Sequence, residues 1–386
     1  MKVKIWLAAG TVAAGLAVVG CGGSDSSDSG SNAAAGGGKS GTVTVGVVLD
    51  KTGPAGFTGV EGQKGIDLAV EQANADKALG GATLAVDVQD GASDPKQAAS
   101  LMTGMVKDYP VVSQGMTSGG ALAAAPIAQR AKVPAVIILA GAPGIVETGD
   151  YIYRANAPQP TYHHLLATHF KNQGIKTVAQ VYNNDIPTNE TLAKETWPEL
   201  AKQNGFQITS SDAAGVTATN FASTISKIMD TNPAAVVMHL SGAQHVTFAT
   251  ALKRAGYQGV VAGGAGLGAN QLKPMGAQGD GILFPIDFSA ANTDPNIKTF
   301  VDAYTAKYNE PPSPYAADAY DAVQLIVKSL AASKSHEADD VKAGMEQVAA
   351  KGFSGAAGNV TFENRDARVP GVLVEWRDGK ENVIQP

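Results

Sequence analysis

Residues 111–144, VVSQGMTSGGALAAAPIAQRAKVPAVIILAGAPG, decide the fold of this chain. The apolar start predicts a strand, and a turn rich in Gly, Thr and Ser joins it to an alanine-rich helix. A second apolar strand over residues 133–139 then ends in Ala140-Gly141-Ala142. In a parallel sheet with helical crossovers, ligands bind where carboxyl ends of strands meet helix N-termini. Ser118 is predicted to cap the helix and to place a hydroxyl at that edge. The alternative is two ordinary tight turns, in which Gly and Ser are common.

Strands and helices alternate on both sides of this stretch. Strands are predicted over residues 42–49 and 82–88, and helices over residues 62–78 and 94–107, with Asp94 as the cap of the second helix. The same rhythm restarts at residue 162 and continues to residue 263. The junction at residues 155–160 contains two prolines, which favour an extended crossing. Because strands that alternate with helices imply parallel sheets covered on both faces, the predicted fold class is α/β with two lobes.

The last hundred residues depart from this alternation. Two long amphipathic helices are predicted over residues 296–309 and 315–333. Residues 359–362 and 372–377 are predicted to form an antiparallel hairpin with Asp378-Gly379 at its close.

Composition limits the class of protein. The 386 residues are 44% hydrophobic, enough for two lobes of ordinary domain size. Of the 29 Lys and Arg residues, all but Lys2 and Lys4 lie in the body of the chain, which leaves 27 against 35 acidic residues and a net charge of −8. An acidic chain without a basic run is not expected to bind nucleic acid or to adhere broadly to anionic lipid.

The N-terminus has the layout of an export signal. A short basic start is followed by an apolar segment, so residues 1–20 are predicted to be a signal peptide. Cys21, the only cysteine, follows a small residue as in the bacterial lipobox, and we expect it to carry lipid and anchor the protein outside the cytoplasm. Residues 21–41 hold no aromatic or branched apolar side chain and are predicted to be a disordered tether. A plain signal peptide or membrane anchor with an incidental Cys21 is the alternative.

Five short segments carry a family resemblance. They are VVLDKTGP (47–54), DGASDP (90–95), PIAQRAKVP (126–134), KYNEPP (307–312) and YAADAYDA (315–322). Their order and spacing over nearly the whole mature chain resemble the leucine/isoleucine/valine-binding family of substrate-binding proteins, which serve ABC importers. The resemblance implies the type I periplasmic binding protein fold, in which two Rossmann-like lobes joined by three crossings close over a ligand. On that template residues 42–158 and 288–362 form lobe one, and residues 159–287 and 363–386 form lobe two.

The family also implies which residues contact the ligand. In amino-acid-binding members, a Ser at the position of Ser118, within Thr117-Ser118-Gly119, and an Ala-Thr pair in the next loop hold the α-carboxylate. An acidic residue of lobe two binds the α-ammonium. This chain keeps Ser118, but it has Gly141 within Ala140-Gly141-Ala142 where the Thr is expected, and Ala265 where the acid is expected. Thr188 stands near the position of a frequent Tyr. Phe57 and Thr58 match ligand-facing positions of the family, although a place on the lobe surface is equally expected for Phe57. Tyr315 is expected to be a core residue and not a ligand contact.

These departures predict an unusual ligand. A buried ammonium without a partner costs several kcal/mol, so a typical α-amino acid should bind poorly. Backbone N–H groups and Ser118 can still hold a carboxylate or carbonyl oxygen. We therefore expect a small carboxylate, amide or other polar solute without an α-ammonium. The alternative is an ordinary amino acid whose charge is met by Asp185, Asp287 or Glu61.

Three further functions were weighed. A sensor of the same fold that signals to a receptor needs the same closing cleft, and the sequence does not separate it from an importer subunit. A serine esterase built on Ser118 is disfavoured, because the surrounding residues lack the G-x-S-x-G spacing. A dinucleotide site at residues 264–269 lacks a clearly placed acidic partner.

The histidines show no metal-ligand spacing and are expected to be surface or satisfied core groups. We therefore expect no cofactor, no metal and no enzymatic activity. The expected form is a monomer, with the permease and ATPase as separate chains because no Walker loop is present.

Overall fold

The computed structural model describes residues 40–385. The predicted signal peptide, Cys21 and most of the predicted tether lie outside the described residues. Residues 40 and 41 belong to the first strand and not to a tether, because they pair with residues 81 and 82. Within residues 40–385, no helix combines the length and the apolar character needed to cross a membrane.

Strands and helices follow one another along the chain much as the alternating pattern predicts. The strands are β1 (Ser40–Leu49), β2 (Gly81–Asp90), β3 (Val112–Gln114), β4 (Ala135–Ile137), β5 (Ile152–Arg154), β6 (Thr177–Asn183), β7 (Gln207–Ala214), β8 (Ala235–His239), β9 (Val260–Gly263), β10 (Ile282–Ile286), β11 (Phe353–Gly355), β12 (Gly358–Glu363), β13 (Asp366–Arg368), β14 (Val372–Arg377) and β15 (Lys380–Ile384). The helices are α1 (Gly56–Ala75), α2 (Pro95–Asp108), α3 (Ser118–Ala131), α4 (His163–Asn172), α5 (Pro187–Thr191), α6 (Trp197–Asn204), α7 (Ala222–Thr231), α8 (Gln244–Arg254), α9 (Pro295–Tyr308), α10 (Pro314–Ala332) and α11 (Ala338–Lys351).

Two sheets share these strands. Among the described residues, the first sheet has the order β11-β12-β13-β5-β4-β3-β1-β2 and the second the order β15-β14-β10-β9-β8-β6-β7. The central strands of both sheets are parallel, and antiparallel pairs occur only at one side of each sheet within residues 40–385. We refer to the part of the chain built on the first sheet as lobe one and to the part built on the second as lobe two.

The two sheets repeat one topology. The order β2-β1-β3-β4-β5 in lobe one matches β7-β6-β8-β9-β10 in lobe two, and in each the order reverses beside the first strand. In open α/β sheets, ligands bind outside the carboxyl ends of the strands at such a switch point. Helix α3 follows β3 and α5 follows β6, so both helices begin at this edge of their sheets.

The chain crosses between the lobes three times. The crossings lie between β5 and α4, between β10 and α9, and between β13 and β14. This agrees with the predicted α/β class of two Rossmann-like lobes, which is confirmed. The template division at residue 362 places β13 in lobe two, whereas β13 pairs with β5 and β12 and so belongs to the sheet of lobe one.

The predicted hairpin near the end of the chain needs a correction. Residues 359–362 lie in β12, in the first sheet, and pair with β11 and β13; β14, in the second sheet, pairs instead with β15. Asp378 and Gly379 do close this β14–β15 hairpin, and both have positive φ, of 54° and 75°. A two-residue hairpin turn with positive φ at both positions matches the right-handed twist of its strands, which explains the Asp-Gly pair.

The apolar run of β1 is buried on both sides of its sheet. Val47 and Leu49 pack into a core with α10, while Val48 packs into a second core with α2 and α3. A parallel strand covered by helices on both faces reads as a continuous apolar run for this reason.

Candidate functional site

Ser118 and Thr188 meet between the two lobes. Ser118 is the first residue of α3, in lobe one, and Thr188 is the second residue of α5, in lobe two. Their hydroxyl oxygens lie 3.2 Å apart, at hydrogen-bond distance, although 70 residues separate them in the chain. Thr188 is buried and Ser118 is half-buried. The two predicted site residues therefore face one another across the cleft that the topology predicts.

Gly141 lies beside this contact. A β-carbon added at Gly141 would stand 3.5 Å from Thr188 Cγ2 and 3.9 Å from the backbone nitrogen of Gln159. The loop after β4 thus faces lobe two, and Gly141 presents no side chain to Thr188. A hydroxyl of the kind that the resemblance predicts at this position is therefore absent, and the role of Gly141 at the ligand stays a prediction.

Gln159 and Gly264 extend the site into lobe two. Gln159 lies in the first crossing, and a β-carbon added at Gly264, after β9, would stand 3.3 Å from its Oε1 atom. Neither residue was predicted to contact the ligand. Gln159 belongs to the junction at residues 155–160 and Gly264 to the glycine-rich segment at residues 264–269. A place at a crossing and at the end of a strand could have indicated that both lie at the site.

Thr117, and not Ser118, is the N-cap of α3. Its side chain accepts a hydrogen bond from the Gly120 N–H. Burial raises the pKa of the Asp50 carboxyl, while the Ser93 N–H and the Thr117 side chain oppose that rise, so Thr117 also stands beside Asp50. Ser118 is released from capping and can direct its hydroxyl to lobe two. Gly119 faces Pro95 of α2 within lobe one, and not Thr188.

The alanines predicted for the site contribute little side-chain surface. Ala140 and Ala142 are buried in the core of lobe one. The Ala140 N–H donates to the Gly115 carbonyl, and the Ala142 carbonyl accepts from Arg154. Ala265 packs against the core of lobe two and begins a short 3-10 turn. In these two loops it is the glycines that face other residues of the site, since Gly141 faces Thr188 and Gly264 faces Gln159.

Phe57 and Thr58 lie at the start of α1. The Phe57 ring is 44% exposed and contacts the Tyr315 ring edge-to-face, with ring centres 5.5 Å apart. Thr58 is buried, and its hydroxyl donates to the Ala55 carbonyl, so it serves the first turn of the helix. These contacts are with residues of lobe one, and the role of Phe57 and Thr58 at the ligand stays a prediction.

The three acids considered as ammonium partners are each engaged elsewhere. Both oxygens of Asp185 accept from the Val216 N–H, and Glu61 forms an ion pair with Lys64 at 2.9 Å. Asp287 is buried at the second crossing, where it accepts from the Phe288 N–H and is hydrogen-bonded to Asp318. Burial raises the pKa of both the Asp287 and the Asp318 carboxyls.

Three histidines of lobe two are core groups, as one of the two predicted alternatives has it, but their hydrogen bonding is incomplete. His163, His239 and His245 each have a ring nitrogen without a hydrogen-bond partner. Burial lowers the pKa of all three imidazoles, to about 3 for His163 and about 4 for His245, so the rings are neutral. Across residues 40–385, no group of His, Cys, Asp and Glu side chains is arranged to hold a metal ion.

The topology and the Ser118–Thr188 contact define a class of protein. Two lobes of equal topology, linked by three crossings and touching through side chains at their switch points, form a binding protein that holds a small solute between them. The family model described as periplasmic binding protein matches residues 42–380, and the chain belongs to this family, of the leucine/isoleucine/valine-binding type.

Relatives and solved structures agree with this membership. The leucine-, isoleucine-, valine-, threonine-, and alanine-binding protein of Pseudomonas aeruginosa is 27% identical over 334 residues, which cover 84% of this chain and 86% of that protein. The isoleucine complex of a branched-chain amino acid transporter substrate binding protein from Streptococcus pneumoniae matches with a TM-score of 0.79 and 23% identity, over 89% of this chain and 100% of that one.

A second structure carries a different ligand. A solute binding protein of an ABC transporter from Rhodopseudomonas palustris, in complex with 3,4-dihydroxybenzoic acid, matches with a TM-score of 0.78 and 24% identity, over 89% of this chain and 96% of that one. At such identities the likeness to the two structures shows a shared fold.

Proposed function

We propose that this protein is the extracytoplasmic capture subunit of an ABC importer, a lipoprotein anchored through Cys21 that closes on a small carboxylate, amide or other polar solute without an α-ammonium. The Ser118–Thr188 contact across the lobes carries the proposal, because it places hydroxyls of both lobes at one point of the cleft. A ligand oxygen between them would accept from both.

The carboxylate end of the solute is assigned to lobe one. The Gly120 N–H is bonded to the Thr117 side chain, whereas the N–H groups of Ser118 and Gly119, the first two residues of α3, have no partner within the helix. A carboxylate or amide oxygen can accept from these N–H groups and from the Ser118 hydroxyl, as charged and neutral oxygens both accept such bonds.

The three acids predicted as ammonium partners at the opposite end of the solute already have partners within residues 40–385. Ala265 replaces the expected acid, and Asp185, Glu61 and Asp287 have other partners. An α-ammonium enclosed here would be desolvated without compensation. The named ligands of the Streptococcus and Rhodopseudomonas proteins, isoleucine and a dihydroxybenzoic acid, are both carboxylates, and the second lacks an ammonium.

Binding and not catalysis is proposed for Ser118. The hydrogen-bond partner of its hydroxyl is Thr188, whose hydroxyl is no general base for a nucleophile. The protein is expected to act as a monomer with separate permease and ATPase chains.

A thermal-shift screen of the purified protein tests the ligand class. Aliphatic and aromatic carboxylates, amides, urea and amino acids are added one at a time, because a ligand that binds only the native state raises the melting temperature. We expect shifts with acids or amides that lack an ammonium. Micromolar binding of leucine, isoleucine or valine in calorimetry would contradict the proposal.

Two variants separate the cleft from the rest of the surface. Ser118→Ala should lower the affinity for the best acid about tenfold, the effect of losing one hydrogen bond to a charged group. Ser226→Ala, at an exposed serine of α7, should leave it unchanged. Loss of uptake of the same acid on deletion of the gene would support the importer role, and release of Cys21→Ser protein from the membrane fraction would support lipid anchoring.

A further inference from the structure

His163 presents an unused N–H group at the lobe-two side of the site. It is the first residue of α4 and is completely buried. Its Nδ1 atom accepts a hydrogen bond of 3.0 Å from Trp197 Nε1. A neutral imidazole that accepts at Nδ1 carries its proton at Nε2, so Nε2 is a donor. That donor has no hydrogen-bond partner among residues 40–385.

Gly264 is the position against which this donor lies. A β-carbon added at Gly264 would stand 3.6 Å from His163 Nε2 and 3.3 Å from Gln159 Oε1. The backbone nitrogen of Gln159 lies in turn 3.9 Å from a β-carbon position at Gly141, next to Thr188. Two glycines therefore face Gln159, one from each lobe, and Gly264 places no side chain over the buried Nε2–H.

We propose that His163 is a specificity-determining residue, whose Nε2–H donates a hydrogen bond to an oxygen at the end of the ligand opposite its carboxylate or amide. The inference rests on the proposed function and narrows it. The preferred solute is a small acid or amide with a second oxygen acceptor, such as a hydroxyl, ether or carbonyl group, in place of the α-ammonium.

The chemistry of a neutral donor explains this selectivity. A buried N–H without an acceptor is unfavourable, and a ligand oxygen that accepts from it removes that penalty on binding. An ammonium at the same place would bring a second donor against the Nε2–H donor, so the site should favour an oxygen acceptor over an α-amino acid. The resemblance implies an acid at Ala265, and this chain instead has small residues, Gly264 and Ala265, beside the imidazole of His163.

Neutrality of the ring is stable over the physiological range. Burial, with a smaller contribution from His164, lowers the pKa of His163 to about 3. The preference for a second oxygen should therefore be the same at pH 5 and at pH 8. In ¹⁵N-labelled protein, the imidazole should keep its Nε2–H tautomer, and the Nε2 proton should move downfield when the ligand is added.

Matched pairs of acids that differ by one distal oxygen test the proposal. The probes are benzoate with 4-hydroxybenzoate and butyrate with 4-hydroxybutyrate, titrated into the purified full-length protein. His163→Asn keeps an acceptor near Trp197 but has no group at the Nε2 position. Gly264→Ala covers Nε2 with a methyl group, and its φ of −101° suits alanine. His245→Asn is the matched control, a second buried neutral histidine of lobe two that lies against Gly266.

We expect the wild-type protein to prefer the hydroxy acid about tenfold in at least one pair. His163→Asn and Gly264→Ala should reduce that preference to about twofold or less. His245→Asn should keep the preference. The Gly264 variant decides the question even if the His163 variant does not fold.

Two results would overturn the inference. In the first, acids bind in a Ser118-dependent way, but the preference is absent in the wild type or persists in both variants. His163 would then be an internal partner of Gln159, and the proposed function would stand. In the second, no acid or amide binds, and the proposed function fails together with the inference.

Discussion

Asp318 is a buried carboxyl group whose pKa is raised by folding. It is buried on α10 and is hydrogen-bonded to Asp287 at the second crossing. Burial raises its pKa well above the usual range, and the nearby Asp287 and Asp321 raise it further. The folded state therefore binds a proton that the unfolded state releases, and stability falls as the pH rises above about 4, the unfolded pKa.

Asp318→Asn should relieve this dependence. An amide can donate to Asp287 without needing a proton from solvent, so the variant should melt a few degrees above the wild type at pH 8 and show a smaller gain at pH 4. Asp302→Asn, at an exposed acid paired with Lys298, should show little pH-dependent gain. Calorimetric melting at both pH values measures the difference. Equal melting of Asp318→Asn and wild type at pH 8 would refute the shared-proton interpretation.

The positions of some residues near the site were predicted from the sequence, and the positions of others were not. Ser118 and Thr188 were predicted, and the structure brings them together. Ser118 was predicted to cap α3, but Thr117 does so, because two adjacent hydroxyl residues compete for the capping position and only φ and ψ decide which one takes it. The predicted contact of Thr117 with the ligand stays a prediction. His163 was expected to be a surface or satisfied core group. Its actual surroundings could not be read from the sequence, because it packs against Trp197 and His239, which are distant in the chain.

At the scale of elements, α10 is held between two helices that approach its backbone. Gly65 of α1 lies against the Ala316 carbonyl, and Gly344 of α11 lies against the Ser329 carbonyl, so closely that a β-carbon at either glycine would overlap the oxygen. Most side chains along α10 are buried for this reason. The helix supplies Tyr315 and Asp318, so its position sets the surroundings of the second crossing.

Alanine at these two glycines should therefore destabilise the protein. Overpacking costs about 1–3 kcal/mol and occasionally more, and here the neighbour is backbone, which cannot turn aside. Gly65→Ala and Gly344→Ala should each lower the urea midpoint. Gly104→Ala is the control, because Gly104 lies exposed in α2 with no described atom within 4 Å of its β-carbon position. The higher helix propensity of alanine should raise the free energy of unfolding by about 1 kcal/mol and so raise the urea midpoint. A Gly65→Ala variant as stable as Gly104→Ala would disprove the close approach.

At the scale of the whole molecule, the two lobes are joined by three crossings and touch at Ser118 and Thr188. Near-complete enclosure matters, because micromolar binding of a solute of about ten heavy atoms requires about 8 kcal/mol, close to the best efficiency that small ligands achieve. Contacts from both lobes are needed to reach it.

A cross-link between the lobes tests this arrangement. With Cys21→Ser, the pair Ser118→Cys and Thr188→Cys would provide the only two thiols of the chain. The 3.2 Å between the native hydroxyl oxygens places the new sulfurs within disulfide reach. Oxidation should consume both thiols, raise the melting temperature through an added stability of about 2–4 kcal/mol, and block binding of any acid until a reductant is added. In a Ser118→Cys, Ser226→Cys control both thiols should stay free; free thiols in the test pair would contradict the contact.

The sequence alone determined the α/β class, the two lobes and the family, because hydrophobic periodicity and short motifs are local properties of the chain. It also predicted that the loops containing Ser118 and Gly141 lie near each other, because the ends of parallel strands fall at one edge of a sheet, while Thr188 was predicted from the family resemblance. Tertiary structure decided the rest: that β13 belongs to the first sheet, that residues 359–362 and 372–377 lie in different sheets, and that His163 is buried with a free N–H beside Gly264. These features depend on contacts between residues far apart in the chain, and a pattern of neighbouring residues carries no information about such contacts.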